Sequence, residues 1–221
     1  ILADNKLVHS LEIDRAFFSA LPEIIVRLKN KLNIDVDVAN KKTSYLYENT
    51  IPISFSLTDK QIANFVAHQY LFPKLSIKQR FIRDYPQGKS SAHLIGFINR
   101  INDEDINFLE KENLTNRYLG STHIGKSGIE KFYENLIHGS PGFKEIEVDA
   151  KQNVIRTLRE RKPIPGKAIN LTIDYRLQKI AEKAFGEKKG ALVAIDPKNS
   201  EVLAYVSQPT FNPALFTNGI S

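Results

Sequence analysis

Apolar residues recur every three or four positions between Pro22 and Leu32, with Ile24, Ile25, Leu28 and Leu32 on one stripe. That spacing predicts a helix whose first turn holds Pro22, where a missing N–H is tolerated. From Thr43 to Leu57 the period shortens to two, with Tyr45 and Tyr47, then Ile51, Ile53, Phe55 and Leu57 on alternate positions. Asn49-Thr50 and Pro52 interrupt the run, so it predicts two strands or one bent edge strand. Two uses stay open for Tyr45, Tyr47, Ile51, Ile53 and Phe55. They fill a core, or they form a partner surface, since Tyr and Phe bury large area at low entropy cost. Thr58 and Gln61 predict a capping box opening a helix that buries Ile62, Phe65, Val66 and Tyr70 and stops at Pro73. Next, Leu75, Ile77 and Phe81 alternate with Lys74, Ser76, Lys78 and Arg80, which predicts a half-buried strand with a basic outer face.

Asp84-Tyr85-Pro86-Gln87-Gly88 reads as a turn, and a short strand is predicted around Leu94 to Ile101. Asp103, Glu104 and Asp105 open a further helix, where negative charge suits the N-terminal dipole. A helix of about ten residues is predicted from Ser127, ended by Gly139 in the left-handed conformation. Strands at Phe143 to Val148 and Val154 to Leu158 flank a polar turn. The run Glu160 to Lys167, rich in charge and proline, marks a domain boundary and predicts domains at 1–162 and 163–221. Beyond it come a strand at Ile169 to Ile173 and a helix capped by Asp174, with Leu177, Ile180, Ala181 and Phe185 inward. A hairpin follows, Ala191 to Ile195 and Glu201 to Val206, whose Leu192, Val193, Leu203 and Val206 need cover. Helices and strands without regular alternation make the class α+β. Ile1 to Asn5 reads as the middle of a strand and turn, so the chain is expected to continue upstream.

Composition narrows the function classes. A net charge of +6 over 221 residues invites a nucleic-acid reading. Its basic residues, however, come in pairs such as Lys41-Lys42, Arg161-Lys162 and Lys188-Lys189, interleaved with acids and without a base-stacking aromatic spacing. A basic surface facing an anionic membrane or polymer fits better. Five His and no Cys give no local metal-ligand spacing, so neither metal nor cofactor is expected. No run approaches the roughly 20 apolar residues needed to cross a bilayer. Asp103 and Asp105 are the nearest thing to a catalytic carboxylate pair, and a helix start explains them without catalysis.

Three ordered stretches carry a resemblance. The first is Arg83-Asp84-Tyr85-Pro86 with Ala92-His93-Leu94-Ile95-Gly96-Phe97. The second runs from Gly125-Lys126-Ser127-Gly128-Ile129-Glu130 to His138-Gly139-Ser140-Pro141-Gly142. The third includes Leu171-Thr172-Ile173-Asp174 and Gly190 to Pro197. Together they resemble class B penicillin-binding proteins of the elongation type (penicillin-binding protein 2), from the pedestal or dimerisation region into the start of the transpeptidase domain; the division type is the alternative. The resemblance implies an elongated pedestal of short helices and strands, an MreC-like scaffold partner, a RodA-like glycosyltransferase in the full complex, and a periplasmic setting with a membrane anchor in the parent. It implies that this family's chemistry needs S-x-x-K, S-x-N and K-T-G. No serine here has a lysine three positions on, and Lys42-Thr43-Ser44 and Lys126-Ser127-Gly128 only echo K-T-G. The reactive serine is expected past Ser221, so these residues should neither acylate nor cross-link. Within the shared motifs the expected roles are structural. Gly125, Gly128 and Ser127 shape and cap a helix start, with Glu130 bonding back to backbone. His93 is a hydrogen-bonded structural residue, Arg83 pairs with Glu130 or Asp84, Gly139 ends a helix and Asp174 begins one.

Overall fold

A computed structural model describes residues 1–36, 50–149 and 154–217, so Tyr45 and Tyr47 lie outside the described residues. Contacts divide the chain into two units. One is Asp4–Asp84; the other joins Ile1–Ala3 to the chain from Tyr85 onward.

The Asp4–Asp84 unit is built on β1 (Asp4–Asp14), flanked by β2 (Thr50–Ser54) and β3 (Leu75–Asp84) in an antiparallel sheet of order β2-β1-β3. β3 pairs with β1 from Asp4↔Asp84 to Ile13↔Leu75, whereas β2 meets only its second half, with an irregularity between Leu11 and Glu12. On one face α1 (Leu21–Leu32) and α2 (Asp59–Ala67) close a core of Leu11, Ile13, Leu28, Ile34, Ile51, Ile53, Phe65 and Leu75. The helix at Pro22 forms as the periodicity predicts, and Asn33 ends it in the left-handed conformation at φ 51°. The Thr58–Gln61 capping box is present with both of its bonds. Thr58→Ala should lower the stability of this unit by about 1 kcal/mol, read as a lower urea midpoint.

Three expectations for this unit need correction. Val66 and Tyr70 are exposed. The helix ends at Ala67, and Tyr70 lies in a separate 3-10 turn, Gln69–Leu71, so the helical stripe does not reach it. Phe81 is 72% exposed, because it pairs with Leu7 in the outer half of the ribbon, where β1 itself is solvent-facing. The basic face of β3 is not simply solvated: Lys78 and Arg80 close over Glu12, which is fully buried. β1 itself escaped the pattern reading, since Ser10 and Glu12 look like a solvent face and are both buried.

In the second unit, the Tyr85 hydroxyl oxygen accepts from the Ile98 amide N–H. The predicted strand from Leu94 is instead a helical turn, α3 (Ala92–Ile95), and only β4 (Ile98–Arg100) is extended, paired with β5 (His123–Gly125). Gly96, at φ +76°, turns the chain between them. α4 (Asp103–Lys111) is capped reciprocally by Asn102 and Asp105. The single helix expected from Ser127 to Gly139 is two short ones, α5 (Gly128–Phe132) and α6 (Glu134–Ile137), parted at Tyr133. β6 (Phe143–Val148) and β7 (Val154–Arg161) form a two-stranded ribbon with Arg156–Glu147 and Arg159–Glu145 ion pairs across it.

Ile169 to Ile173 is not a strand: Thr172 Oγ1 bonds Val202 O and Asp174 N bonds Leu203 O, too few links to form a ladder. α7 (Tyr175–Phe185) follows, packed on β9 (Val202–Gln208), which pairs with β8 (Gly190–Ile195). Its inward face carries Gln178 and Ala181, while Leu177 and Ile180 are exposed. The cause is one amide. Gln178 accepts from Tyr205 N at 2.7 Å and donates to Tyr205 O at 2.8 Å, which fixes the rotation of the helix. Of the hairpin residues needing cover, Val206 is buried, Leu192 and Leu203 are half-buried, and Val193 stays exposed.

Candidate docking surface and structural motifs

Of the five side chains considered for partner binding, Ile51 and Ile53 are 1% and 0% exposed, inside the core between β1 and the helices. That corrects their assignment to a surface: β2 is the short edge of a sheet whose inner face needs both side chains. Phe55, just past β2, is half-buried, and Tyr45 and Tyr47 lie outside the described residues.

The strongest electrostatic feature of the Asp4–Asp84 unit is the Glu12 carboxylate. It accepts from Arg80 Nε, from Thr50 Oγ1 and, at 2.9 Å, from Ser10 Oγ, with Lys78 Nζ at 3.5 Å. Burial alone would raise its pKa. The Arg80 and Thr50 hydrogen bonds, the Arg80 charge and the Ser10 hydroxyl outweigh burial and hold it below the ordinary value. This network was invisible to pattern reading, because Ser-x-Glu on a strand is also what a solvent face looks like. Arg83, at the end of β3, donates from Nη1 to Asn5 Oδ1 at 3.1 Å.

In the second unit the glycine-rich motif is a backbone crossing. A Cβ on Gly96 would stand 2.0 Å from Ser127 O, and one on Gly128 would stand 2.6 Å from Gly96 N. Both glycines also have positive φ. Ser127 has the extended backbone of a cap, yet its hydroxyl makes no capping bond, which corrects that expectation. Glu130 is buried, and Glu134 reaches back to the backbone, accepting from Gly125 N at 3.0 Å. Its other oxygen accepts from Tyr118 OH at 3.0 Å. Burial raises the Glu134 pKa despite both bonds, and burial followed by the Glu134 charge raises that of Tyr118. The His138 ring stacks on Tyr118 at 4.2 Å, and burial lowers its pKa. Gly139 has φ +75°, and a Cβ there would meet Ile164 O at 2.5 Å, beside the paired Ser140–Ile164 bonds. His93 Nε2 lies 3.0 Å from Pro209 O and its ring meets Phe211 edge-on. Asp174 accepts from Arg176 N and Leu177 N, and these bonds lower its pKa. Asp105 is occupied by its cap and by Lys126, so it is not free to act with Asp103 as a catalytic pair. Among the described residues no group of three metal-ligating side chains exists, and no helix is long and apolar enough to cross a membrane.

Small antiparallel sheets, short capped helices and glycine-pinned crossings define a mixed α+β architecture. Residues 1–171 match the penicillin-binding protein dimerisation domain, and the chain belongs to that family. Its relatives include the peptidoglycan D,D-transpeptidase MrdA of Acinetobacter baumannii, 38% identical over 100% of this chain and 33% of the relative. MrdA of Escherichia coli K12 is 35% identical over 100% of this chain and 35% of the relative. The chain thus spans about a third of the length of these relatives. Among solved structures, it resembles penicillin-binding protein 2 of Helicobacter pylori in a complex with MreC, with a TM-score of 0.76 and 26% identity over 100% of this chain and 41% of that one. Penicillin-binding protein 2 of Pseudomonas aeruginosa gives a TM-score of 0.51 and 43% identity over 64% of this chain and 27% of that one.

Proposed function

We propose that this chain serves as the non-catalytic pedestal of an elongation-type peptidoglycan D,D-transpeptidase and docks an MreC-like scaffold protein. The observation that carries the reading is the likeness, over the whole chain, to a penicillin-binding protein 2 captured with MreC. In this reading residues 1–162 are the pedestal and 163–221 begin the transpeptidase domain; the end of the family match at residue 171 supports a boundary in that region. A RodA-like glycosyltransferase is a further partner of the assembled complex, and the work is done on the periplasmic side of the inner membrane. Phe55, Tyr45 and Tyr47 are the aromatic side chains assigned to the scaffold.

The test is binding of this chain to the periplasmic domains of MreC from Acinetobacter baumannii and Escherichia coli. Phe55→Ala should weaken binding about tenfold, the effect of losing one aromatic anchor, while the circular dichroism spectrum stays unchanged. Absence of binding by the unaltered chain to either domain sinks the reading. The same chain should take no label from a fluorescent penicillin, since it lacks the S-x-x-K serine and lysine.

A further inference from the structure

We propose, independently of the pedestal reading, that a buried water molecule held between Ser91 and Glu182 clasps the turn before α3 to α7 and β9, so that the two parts open as one. Ser90 and Glu182 stand 92 positions apart, on either side of the boundary expected at residue 162, yet they meet within the unit that runs on from Tyr85. Glu182 Oε1 gathers three donors: Ser90 Oγ at 3.0 Å, the Ser91 amide at 3.0 Å and Gln178 Nε2 at 2.7 Å. Gln178 also holds both backbone groups of Tyr205, so the carboxylate is tied through it to β9. Ser91 has φ 57°, a left-handed backbone that residues with a side chain seldom adopt and that persists only where the surroundings hold it. The bond from its own amide to Glu182 is that hold.

Beside this junction lies a cavity of about 10 Å³, with Ser91, Glu182, Ser207, Gln208 and Thr210 among its walls. A single water molecule needs about 10–15 Å³ and roughly two to four polar partners. Size and lining both suit it. The Ser91 hydroxyl calls for it most directly. Ser91 is 4% exposed and lines the cavity, and its Oγ has no hydrogen-bond partner among the described residues. A hydroxyl buried in that way has given up its bonds to solvent for nothing, which is costly. A water molecule can accept from Ser91 Oγ and donate to the Glu182 carboxylate, whose charge strengthens the bond. The contact then becomes a closed ring, from the Ser91 amide to Glu182, from Glu182 to the water and from the water back to the Ser91 hydroxyl. Parting either side breaks the ring, so the Ser90–Ser91 turn and the α7–β9 layer separate in one step.

The experiment is NMR of the full ¹⁵N-labelled chain. Cross-relaxation with solvent should show a long-lived water at the Ser91 amide in the unaltered protein, and its absence overturns the site. Ser91→Ala keeps the backbone and its φ while deleting only the hydroxyl. It should speed amide exchange about tenfold at Leu94 and Ile95, which bond Ser91 O, and equally at Tyr205, which bonds Gln178 Oε1. Unchanged or slower exchange means that the hydroxyl held nothing, and faster exchange confined to Leu94 and Ile95 means that the two sides are not clasped. Either result overturns the proposal. Adding Ser91→Ala to Glu182→Gln should speed exchange less than Ser91→Ala does alone, because both changes break the same ring. Independent, multiplying effects of the two substitutions overturn it as well.

Discussion

Glu12→Ala should destabilise the Asp4–Asp84 unit by about 3 kcal/mol or more, seen as a large drop in its urea midpoint. The substitution removes one carboxylate, taking the Glu12 ion pair from Arg80, which is mostly buried, and an acceptor from the Ser10 and Thr50 hydroxyls. Breaking a buried ion pair by removing one member is far costlier than breaking an exposed one. A double-mutant cycle with Arg80→Met isolates the pair: if the two losses simply add, the network is not coupled and the account fails. The same residue fixes the sign of a pH effect. Its folded pKa is below its ordinary value of 4.5, so its contribution is complete above that value and fades as pH falls through the folded one. Glu134, raised by burial, acts in the opposite sense: its contribution favours the fold at low pH and declines as pH rises through its folded pKa. Acidification therefore weakens the Asp4–Asp84 unit through Glu12 and relieves the other unit through Glu134. Unit-resolved hydrogen exchange across an acid titration reads both.

Gly96→Ala should be among the most damaging single-methyl changes in the second unit, about 3 kcal/mol or more. Its Cβ would have to occupy the space of the Ser127 carbonyl, and its φ of +76° is strained for any residue with a side chain. Gly88→Ala is the control. It shares a positive φ, +57°, and meets nothing within 4 Å, so it should lose only the strain, about 1 kcal/mol. Equal losses at the two sites would show that steric crossing plays no part. Thermal unfolding of both variants makes the comparison.

The fold was legible where one principle acted alone. The Thr58–Gln61 capping box, the Pro22 helix, the Asp174 cap and the paired strands β6–β7 and β8–β9 all follow from local spacing and turn residues. It was illegible where tertiary pairing overrode pattern. The second half of β1 has both faces covered, so its alternation of apolar and polar residues gave no hint that Glu12 is buried. α7 turns on Gln178 rather than on Leu177 and Ile180, because pairing both backbone groups of Tyr205 holds that helix on β9. The Ser127–Gly139 stretch has helical composition and still breaks at Tyr133. For the surface, alternation at Ile51 and Ile53 is the same signal whether it faces a core or a partner, and only the position of β2 in the sheet decides.

The pairing of Asp4 with Asp84 has a further consequence. The chain leaves one unit and returns to it through neighbouring residues, so everything from Asp4 to Asp84 behaves topologically as a hairpin loop. Closing a loop whose ends are already side by side adds almost nothing to the entropy the surrounding unit must lose. Such a module can be lengthened, trimmed or exchanged for a foreign one with the host's own folding left nearly untouched. A chimaera in which another small domain replaces it between Ala3 and Tyr85 should still acquire the tertiary structure of the remainder.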